Sequence, residues 1–402
     1  MDSARLTQQI KAKAQELGFS LVGVTSAQPP EHMDKYRKWL AAGYHGDMAY
    51  LAKERALQRR ADPRNILPEC QSILVLGIPY NDPSGAPQAA DAAKVGRIAA
   101  YAWGEDYHRE LRPRLQSLVE FIEQQVGHAV PNRWYTDSGP LLERELAQRA
   151  GLGWIGRNSM LINPERGSYF LLAEILLGIE LQTDMPLDTD HCGSCTRCLD
   201  ACPTQCILPD RSLEATRCIS YLTIELRGAT PPELRDKMGD WVFGCDICQV
   251  VCPWNERFAS ENGDAAFVSK ESKPWLRLEA DLRIDTTEFN RKFKTRPVLW
   301  TKRRGYLRNL AVAAGNSADR AHVPALIDLL QDETEPLARG HAAWALGKLG
   351  GDAAKAALAL AENNEKDAWV LEEIKLALET RGINLRVGGG GKSEVSARSI
   401  QR

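Results

Sequence analysis

Cysteine is the residue type in this sequence whose number and spacing point most directly to chemistry. The chain has ten cysteines, and all but Cys70 fall within one stretch. A first run reads C-x2-C-x2-C-x3-C-P, a second run reads C-x2-C-x3-C-P, and two further cysteines lie between the runs. The clustered positions are Cys192, Cys195, Cys198, Cys202, Cys206, Cys218, Cys245, Cys248 and Cys252.

The first run has the spacing of bacterial ferredoxins, in which a tight loop carries three ligands and the cysteine before proline binds the other cluster. The second run lacks one ligand, which Cys218 or Cys206 must supply. Zinc is the alternative, because paired C-x2-C motifs often bind it, but the third cysteine and the two C-P endings favour iron and sulfur. We predict one [4Fe–4S] cluster on Cys192, Cys195, Cys198 and Cys252, and a second on Cys202, Cys218, Cys245 and Cys248.

Charge and hydropathy restrict where this chemistry takes place. The chain of 402 residues has a net charge of −2, so a polyanionic partner would need a local positive surface. The N-terminal residues do not form a signal peptide, and the most apolar run, at 169–181, is too short to span a bilayer and contains Glu174. We therefore expect a cytoplasmic protein without a membrane segment, and disulfides are rare in that compartment.

Residues 1–185 predict a mixed α/β domain that precedes the cysteines. A helix is expected from Ser138, as its cap, to Gly151, with Pro140 in its first turn, and an apolar strand follows. The sequence GLGWIG at 151–156 matches a dinucleotide-binding pattern, but it follows a helix instead of a strand, which argues against a Rossmann fold. The other expected elements are a helix at 3–17, strands at 19–25 and 71–80, and a helix at 107–126.

Two further domains are predicted after the first. Residues 186–265 form a ferredoxin-like domain that holds both clusters. Alanine and leucine then recur at helical spacing, and YLRNLAVAAGN resembles AAWALGKLGG about 35 residues later, so HEAT-like repeats are expected within 266–385. The glycine-rich, polar residues 386–402 predict a disordered tail.

A basic stretch at 291–308 precedes and enters the repeats. It has eight lysine and arginine residues, no acidic residue, and three interleaved aromatic residues, Phe293, Trp300 and Tyr306. Such a surface suits phosphates, with the aromatic rings stacking on unpaired bases, and RNA is favoured because no groove-reading motif is present. The alternative is a solvated linker with core aromatics. The residues expected to bind tRNA are Lys302, Arg303, Arg304 and Arg308.

Several stretches together resemble the epoxyqueuosine reductase family, which comprises cobalamin-dependent iron–sulfur enzymes of tRNA modification. These stretches are YTDSGPLLERELAQRAGLGWIGRNSMLI at 135–162, CISYLTIELRG at 218–228, GCDICQVVCPWN at 244–255 and the repeats. The resemblance extends over nearly the whole chain, and its motifs occur in the family's order. It implies the reduction of epoxyqueuosine to queuosine at the tRNA wobble position, the last step of queuosine biosynthesis.

The resemblance also implies cofactors, partners and residue roles. The cofactors are cob(II)alamin, held without its lower base, and the two clusters, and the electron donor is a flavodoxin or ferredoxin system; we expect a monomer. Asp137 matches the family's proton donor and would be buried beside the corrin, although an aspartate there could instead cap the following helix. The residues implied to contact cobalamin are Arg60, Tyr101, Asp137, Trp154, Arg157, Asn158, Ser159, Ser220, Asp246 and Gln249.

Three other functions are compatible with parts of the sequence. A corrinoid reductive dehalogenase would share the clusters and cobalamin, but it would typically carry a twin-arginine leader and no helical repeats. A ferredoxin fused to a helical scaffold would bind iron and no cobalt. A tRNA-binding protein without catalysis would keep its affinity for tRNA when Asp137 is replaced by asparagine, and it would need no reductant.

Overall fold

The computed structural model describes residues 2–80, 92–187, 189–259, 263–268 and 275–379. The tail predicted at 386–402 lies outside this part of the chain. The strands are β1 (Leu21–Ser26), β2 (Ser72–Pro79), β3 (Val95–Ile98), β4 (Asn132–Tyr135), β5 (Trp154–Ile155), β6 (Leu161–Ile162), β7 (Phe170–Leu177), β8 (Trp241–Phe243) and β9 (Leu276–Arg277).

The helices fall into two groups along the chain. Those before residue 260 are α1 (Ser3–Glu16), α2 (Met33–Ala41), α3 (Glu54–Ala61), α4 (Tyr107–Val126), α5 (Glu143–Arg149), α6 (Arg197–Ala201), α7 (Ile219–Ile224), α8 (Pro232–Arg235), α9 (Ile247–Val250) and α10 (Pro253–Phe258). Those after it are α11 (Leu278–Asp281), α12 (Thr286–Phe293), α13 (Lys302–Asn316), α14 (Val323–Asp332), α15 (Pro336–Leu349), α16 (Asp352–Asn364) and α17 (Ala368–Glu379). None of these described helices is long and apolar enough to cross a membrane.

The N-terminal segment is organised around a four-stranded antiparallel sheet of order β1-β2-β7-β4. The side chains of β2 are apolar on both faces of the sheet, because each face is covered by a separate hydrophobic core. Leu74 and Leu76 face the core shared with α1 and α4, whereas Ile73 and Val75 face the core that includes Leu146 of α5. Successive side chains of a strand point to opposite faces, so this alternation places α5 and the loop before it on one side of the sheet.

The start of α5 differs from the prediction. The helix begins at Glu143 with Leu142 as its N-cap, so Ser138 does not cap it and Pro140 lies outside its first turn. Asp137 has a φ of 57°, which no residue within a right-handed helix adopts. The loop from Thr136 to Leu142 therefore stays irregular and exposes Asp137 at its tip.

The glycine-rich sequence after α5 forms a small hairpin. Strands β5 and β6 pair antiparallel, with Trp154 opposite Ile162. A Cβ atom on Gly153 would lie 2.3 Å from the carbonyl oxygen of Ile162, so only glycine fits at this close approach. No helix follows the glycines, which agrees with the rejection of a Rossmann fold.

The three predicted segments pack together across their expected boundaries. Strand β3 pairs parallel with β8 of the cysteine-rich segment and antiparallel with β9 of the following one. One hydrophobic core extends from Leu6 of α1 to Ala377 of α17. The boundaries near residues 185 and 265 remain a prediction.

The C-terminal part consists of stacked helices, as the repeats predicted. Helices α13, α15 and α17 lie side by side, and α14 and α16 pack against them. Small residues allow the close approach, since a Cβ atom on Gly347 of α15 would lie 2.7 Å from that of Ala377. The N-terminal α/β segment with its antiparallel sheet, followed by helical repeats, confirms this part of the predicted fold.

Polar contacts attach the repeats firmly to the cysteine-rich segment. Arg235, just before the second cysteine run, forms two hydrogen bonds of 2.6 and 2.7 Å with Glu373 of α17, and both side chains are buried. The amide of Asn309 in α13 donates 2.8 Å hydrogen bonds to the carbonyl oxygens of Thr223 and Val242. The repeats are thus held in a fixed position beside the clustered cysteines.

Candidate active site

Four of the predicted cluster ligands surround a single cavity. A cavity of about 210 Å³ is lined by three thiols of the first cysteine run and by the last thiol of the second run. The loop before α6 and the N-terminus of α10 position them, because Cys252 is the N-cap residue of α10. This donor set is that of a [4Fe–4S] cluster. The four thiols are Cys192, Cys195, Cys198 and Cys252.

The second set of thiols includes one more cysteine than a cluster needs. The Sγ atoms of Cys202 and Cys206 are 3.5 Å apart, and Cys218 lies within hydrogen-bonding reach of Cys206. Burial, followed by the charge of neighbouring thiols, raises the pKa values of Cys245 and Cys248, so binding of iron must displace protons there. The structure brings both candidate fourth ligands to this group and leaves the choice between Cys206 and Cys218 open.

A larger cavity of about 580 Å³ separates the N-terminal segment from the cysteine-rich segment. Four residues implied to contact cobalamin line it: Arg60, Asp137, Trp154 and Ser159. Within the described residues, Nη1 of Arg60 and Nε1 of Trp154 are buried donors without a hydrogen-bond partner. Unpaired buried donors disfavour an empty site. A cofactor fringed with amide groups, such as cobalamin, would supply acceptors for these donors.

The remaining residues implied to contact cobalamin have other surroundings. Asn158 donates a hydrogen bond of 3.2 Å to the carbonyl oxygen of Cys248, and Arg157 donates one of 2.7 Å to that of Gly193, so both are tied to the cysteine loops. Asp246 is buried and accepts a hydrogen bond of 2.7 Å from the backbone N–H of Ala100. Arg157 and Asn158 thus line the 210 Å³ cavity of the first cluster and not the larger cavity.

Three further residues of that set lie near other elements. Gln249 belongs to a buried network in which its side-chain oxygen accepts a 2.9 Å hydrogen bond from the hydroxyl of Ser168. Ser220 lies in α7, and the ring of Tyr101 packs 6.2 Å from that of Tyr107. Of these, Tyr101 lies near Asp137, since its neighbour Tyr107 contacts that carboxylate.

Asp137 is presented by its loop and not by a helix. The hydroxyl of Thr136 anchors the loop to the sheet by donating a 2.8 Å hydrogen bond to the carbonyl oxygen of Leu172. The side chain of Asp137 is 62% exposed, so the expected burial does not hold for the protein alone. Its Oδ2 accepts a 2.7 Å hydrogen bond from the hydroxyl of Tyr107 and lies 3.8 Å from Nε2 of His108.

An aromatic group adjoins Asp137. The rings of Tyr107 and His108 stack with centroids 4.3 Å apart, and the ring of Trp300 meets that of His108 edge-on at 4.9 Å. Sequence reasoning placed Trp300 among RNA-stacking residues, but it did not find Tyr107, because a tyrosine at the start of a helix carries no signal of function. Tertiary structure brings α4, the Asp137 loop and the start of the repeats to one point.

The basic stretch is less of a surface than the sequence predicted. Arg308 is 1% exposed and donates hydrogen bonds of 2.5 to 2.9 Å to the carbonyl oxygens of Leu222, Leu226 and Gly228. The prediction that it binds tRNA is therefore wrong, because its guanidinium is used inside the protein. The rings of Phe293 and Tyr306 are also buried, as the core alternative predicted.

Exposed positive charge remains at the start of α13. Lys302 and Arg304 are exposed. Arg303 between them is partly buried and forms a 2.5 Å ion pair with Glu333, so its guanidinium is less available to a phosphate. The surface available for an anion is thus formed by Lys302 and Arg304.

Comparison with protein families identifies three matched regions. A model described as epoxyqueuosine reductase QueG matches residues 60–138. A model for a 4Fe-4S double cluster binding domain matches residues 191–255, and one for HEAT repeats matches residues 300–379. These matches confirm the predicted double-cluster domain and repeats.

Individual proteins resemble this chain over most of its length. A curated epoxyqueuosine reductase from Pseudomonas aeruginosa is 40% identical over 354 residues, which are 87% of this chain and 96% of that protein. A crystal structure of epoxyqueuosine reductase with an epoxyqueuosine-modified tRNA-Tyr stem loop is 33% identical with a TM-score of 0.86, covering 94% of this chain and 98% of that one.

A third similar structure is that of epoxyqueuosine reductase from Bacillus subtilis. It is described with an aspartate-bearing catalytic loop swung out of the active site, and it is 33% identical, with a TM-score of 0.84 and coverage of 94% of this chain and 99% of that one. Identity at this level over nearly the full length of both chains confirms the resemblance derived from the motifs. This chain therefore belongs to the epoxyqueuosine reductase family and is an oxidoreductase with a double [4Fe–4S] cluster domain.

Proposed function

We propose that this protein reduces epoxyqueuosine to queuosine at the wobble position of tRNA anticodons, in the last step of queuosine biosynthesis. The observation that carries the proposal is the position of Trp154 between two cavities. Trp154 lines the 580 Å³ cavity together with Asp137. Its ring also lies 4.9 Å from those of His191 and Trp254, which line the cavity of the first cluster. An electron-carrying site and a proton-donating site thus meet at one residue.

The substrate follows from the family and from the chemistry. A related structure holds an epoxyqueuosine-modified tRNA stem loop. Removing the epoxide oxygen as water and forming an alkene needs two electrons and two protons. Two clusters deliver electrons one at a time, and a carboxylic acid at the cavity delivers a proton. The enzyme would act in the cytoplasm, where its tRNA is found.

Cobalamin is the proposed cofactor at the larger cavity. Arg60 and Ser159, which both line the cavity, would hold it, and the indole N–H of Trp154 would find an acceptor among its amide groups. When bound and reduced, cobalamin supplies the electron pair for opening the epoxide. The protein's part is to orient the substrate's epoxide toward this cavity and to exclude water from it.

Asp137 is the proposed proton donor for the departing oxygen. Its side chain is exposed in the protein alone, so substrate can reach it, and a bound tRNA loop would cover it. Tyr107 fixes one carboxylate oxygen through the 2.7 Å hydrogen bond. A positioned acid of this kind accelerates such a reaction about 10²- to 10⁴-fold. The swung-out loop described for the Bacillus subtilis relative suits a donor on an irregular loop.

The tRNA would lie across the start of α13. Lys302 and Arg304 offer two exposed charges for phosphates, and Trp300, just before them, contacts His108 beside Asp137. A nucleotide held at this surface would therefore have a neighbour in the active site. Contacts with phosphates position the substrate, and the aromatic rings stack on unpaired bases.

The proposed electron donor is a flavodoxin or ferredoxin, and it would dock at the first cluster. The loop around Cys192 and Cys195 is partly exposed, and Arg257 lies exposed beside it, whereas Arg197 is ion-paired with Glu256 at 2.9 Å. The charge of Arg257 would attract an acidic redox protein. That the enzyme is a monomer remains a prediction.

Nucleoside mass spectrometry tests the reaction. Anaerobic protein with intact clusters, cobalamin, a strong reductant and tRNA carrying epoxyqueuosine are incubated, and the tRNA is digested. We expect the modified nucleoside to lose the mass of one oxygen atom, and we expect no change without cobalamin or with tRNA that already carries queuosine. No change with iron and cobalt both bound would favour another corrinoid reduction. Failure to bind cobalt would favour an electron-transfer scaffold.

A further inference from the structure

Two carboxyl groups, the fully buried one of Glu174 and the partly buried one of Glu143, lie directly behind the Asp137 loop. Glu174 sits in the middle of β7, opposite Val75 of β2 and Tyr135 of β4, and it is 0% exposed. Glu143 is the first residue of α5, which packs on that face of the sheet. Fully buried glutamates are rare unless they are paired, so this arrangement requires an explanation.

The surroundings of these two carboxyl groups favour a shared proton. Neither carboxylate oxygen of Glu174 meets a donor among the described residues, and Oε1 of Glu143 has no partner either. The two carboxyl groups lie within hydrogen-bonding reach of each other. Two ionised carboxylates cannot hydrogen-bond, because an ionised carboxylate only accepts. A hydrogen bond between them therefore exists only when the pair carries a shared proton.

The surrounding charges favour retention of that proton near neutral pH. Burial, and then the carboxylate of Asp137, raise the pKa of Glu143 to about 8, against the opposing effects of Arg144, the backbone N–H of Asp137 and Arg60. Burial, Glu143 and Asp137 also raise the pKa of Glu174 well above its ordinary value. Two like charges at this distance in a buried site cannot both ionise readily.

The pair is connected to the proposed proton donor. The backbone N–H of Asp137 donates a hydrogen bond to the carboxylate of Glu143. The side chains of Asp137 and Glu143 line the same 580 Å³ cavity. A change in the protonation of Glu143 therefore changes the charge next to the Asp137 loop, and the carboxyl groups of Glu143 and Asp137 both adjoin the same cavity.

We propose that Glu143 and Glu174 form a proton store that recharges Asp137 within one turnover. The inference rests on the proposed function, because the departure of the epoxide oxygen as water consumes two protons along with two electrons from the reduced cofactor. Asp137 gives the first proton, the pair passes its proton to Asp137, and Asp137 gives the second. After product release, solvent returns one proton to Asp137 and one to the pair. A covering tRNA loop would make such an internal source necessary.

The first experiment measures the protonation of the pair without any reaction. Infrared difference spectra of the protein with intact clusters, titrated between pH 6 and pH 9, should contain a band of a protonated carboxyl group near neutral pH. Glu174→Gln and Glu143→Gln should each abolish this band, whereas Glu123→Gln, in which a half-buried carboxyl of α4 is changed, should keep it. Absence of the band from the wild-type protein would overturn the proposal.

The second experiment measures turnover across the same pH range. We expect Glu143→Gln to lower the rate at neutral pH about tenfold or more with unchanged tRNA affinity, and to remove the loss of rate that the wild type shows as the pair ionises above about pH 8. A Glu143→Gln profile that superimposes on the wild-type profile would overturn the proposal. Iron content confirms that each variant is folded, and Glu143→Gln carries the test if Glu174→Gln does not fold. A wild-type protein with the infrared band but without conversion of epoxyqueuosine would overturn the proposed function and, with it, the role of the pair in recharging Asp137.

Discussion

The hydroxyl of Tyr107 donates a hydrogen bond of 2.7 Å to Oδ2 of Asp137 and so joins helix α4 to the loop before α5. The bond restrains a side chain that is 62% exposed on a loop with a left-handed residue. It orients one oxygen of the carboxylate and leaves Oδ1 outside this contact. The orientation of the proposed proton donor is thus maintained before any substrate is bound.

Asp137→Asn should reduce turnover about 10²-fold or more, because an amide cannot deliver the proton that the departing oxygen needs. The affinity for tRNA should stay within about twofold, since the side chain keeps its size and stays on the same loop. Time courses of queuosine formation and filter binding of tRNA measure the two quantities. Ser138→Ala, in the same loop, is the control and should react normally. Near-normal turnover in Asp137→Asn would remove the aspartate from the chemistry.

Tyr107→Phe should lower turnover about tenfold, because it removes a charge-assisted hydrogen bond worth about 1.5 kcal/mol. Tyr107 should affect turnover only by orienting the carboxylate of Asp137. A variant with both Tyr107→Phe and Asp137→Asn should therefore turn over no more slowly than Asp137→Asn alone. Additive losses in this double-mutant cycle would mean that Tyr107 acts directly on the substrate.

Cys218→Ala should leave the protein with one cluster instead of two, whereas Cys206→Ala should keep both. Cys206 lies 3.5 Å from Cys202, and Cys218 lies within hydrogen-bonding reach of Cys206, so either thiol could complete the second group of ligands. Iron and sulfide analysis with electron paramagnetic resonance of the reduced, anaerobic protein measures the outcome. Cys70→Ala is the control, because this buried cysteine lies in the N-terminal core away from both groups. Full iron content in Cys218→Ala and loss in Cys206→Ala would reverse the assignment.

Replacing both Lys302 and Arg304 with alanine should weaken tRNA binding and reduce the slope of log affinity against log salt by about 2, as expected for two lost phosphate contacts. Turnover at saturating tRNA should be unchanged, because contacts with phosphates position the tRNA and take no part in the proposed reaction. Binding isotherms at several salt concentrations provide the slope. Lys355 and Lys366, two exposed lysines of the later repeats, replaced together, are the charge-matched control. An unchanged slope would move the tRNA surface elsewhere.

Stability should fall as the pH rises from about 5 to 8, partly because of Glu174. Its pKa is raised by burial, so the folded protein binds a proton more tightly than the unfolded chain does. The stabilising effect is therefore complete below the unfolded pKa of about 4.3 and is lost as the pH rises through the folded pKa, by up to about 1.4 kcal/mol per pH unit. Glu174→Gln should flatten this decline in the midpoint of anaerobic urea unfolding. An identical decline in both proteins would mean that Glu174 is ionised throughout.

Features of this protein that depend on the spacing of residues close together in the sequence could be predicted from the sequence alone. Two residues between cysteines suit one cluster loop, whatever surrounds them, so the ligands around the first cavity could be named in advance. The repeated helices were equally visible, because alanine and leucine recur at helical spacing.

Tertiary structure decided whatever depends on the neighbours of a residue from distant parts of the chain. Arg308 and Tyr306 read as a positive, aromatic surface, yet the carbonyl groups of α7 and the core enclose them. Ser138 was expected to cap a helix, but the backbone at Asp137 is left-handed and the helix begins only at Glu143. The carboxyl pair shows the same limit: Glu174 is a lone charge in an apolar strand, and only the packing of α5 on the sheet places Glu143 against it. Burial and charge pairing are properties of the assembled core, and no local pattern encodes them.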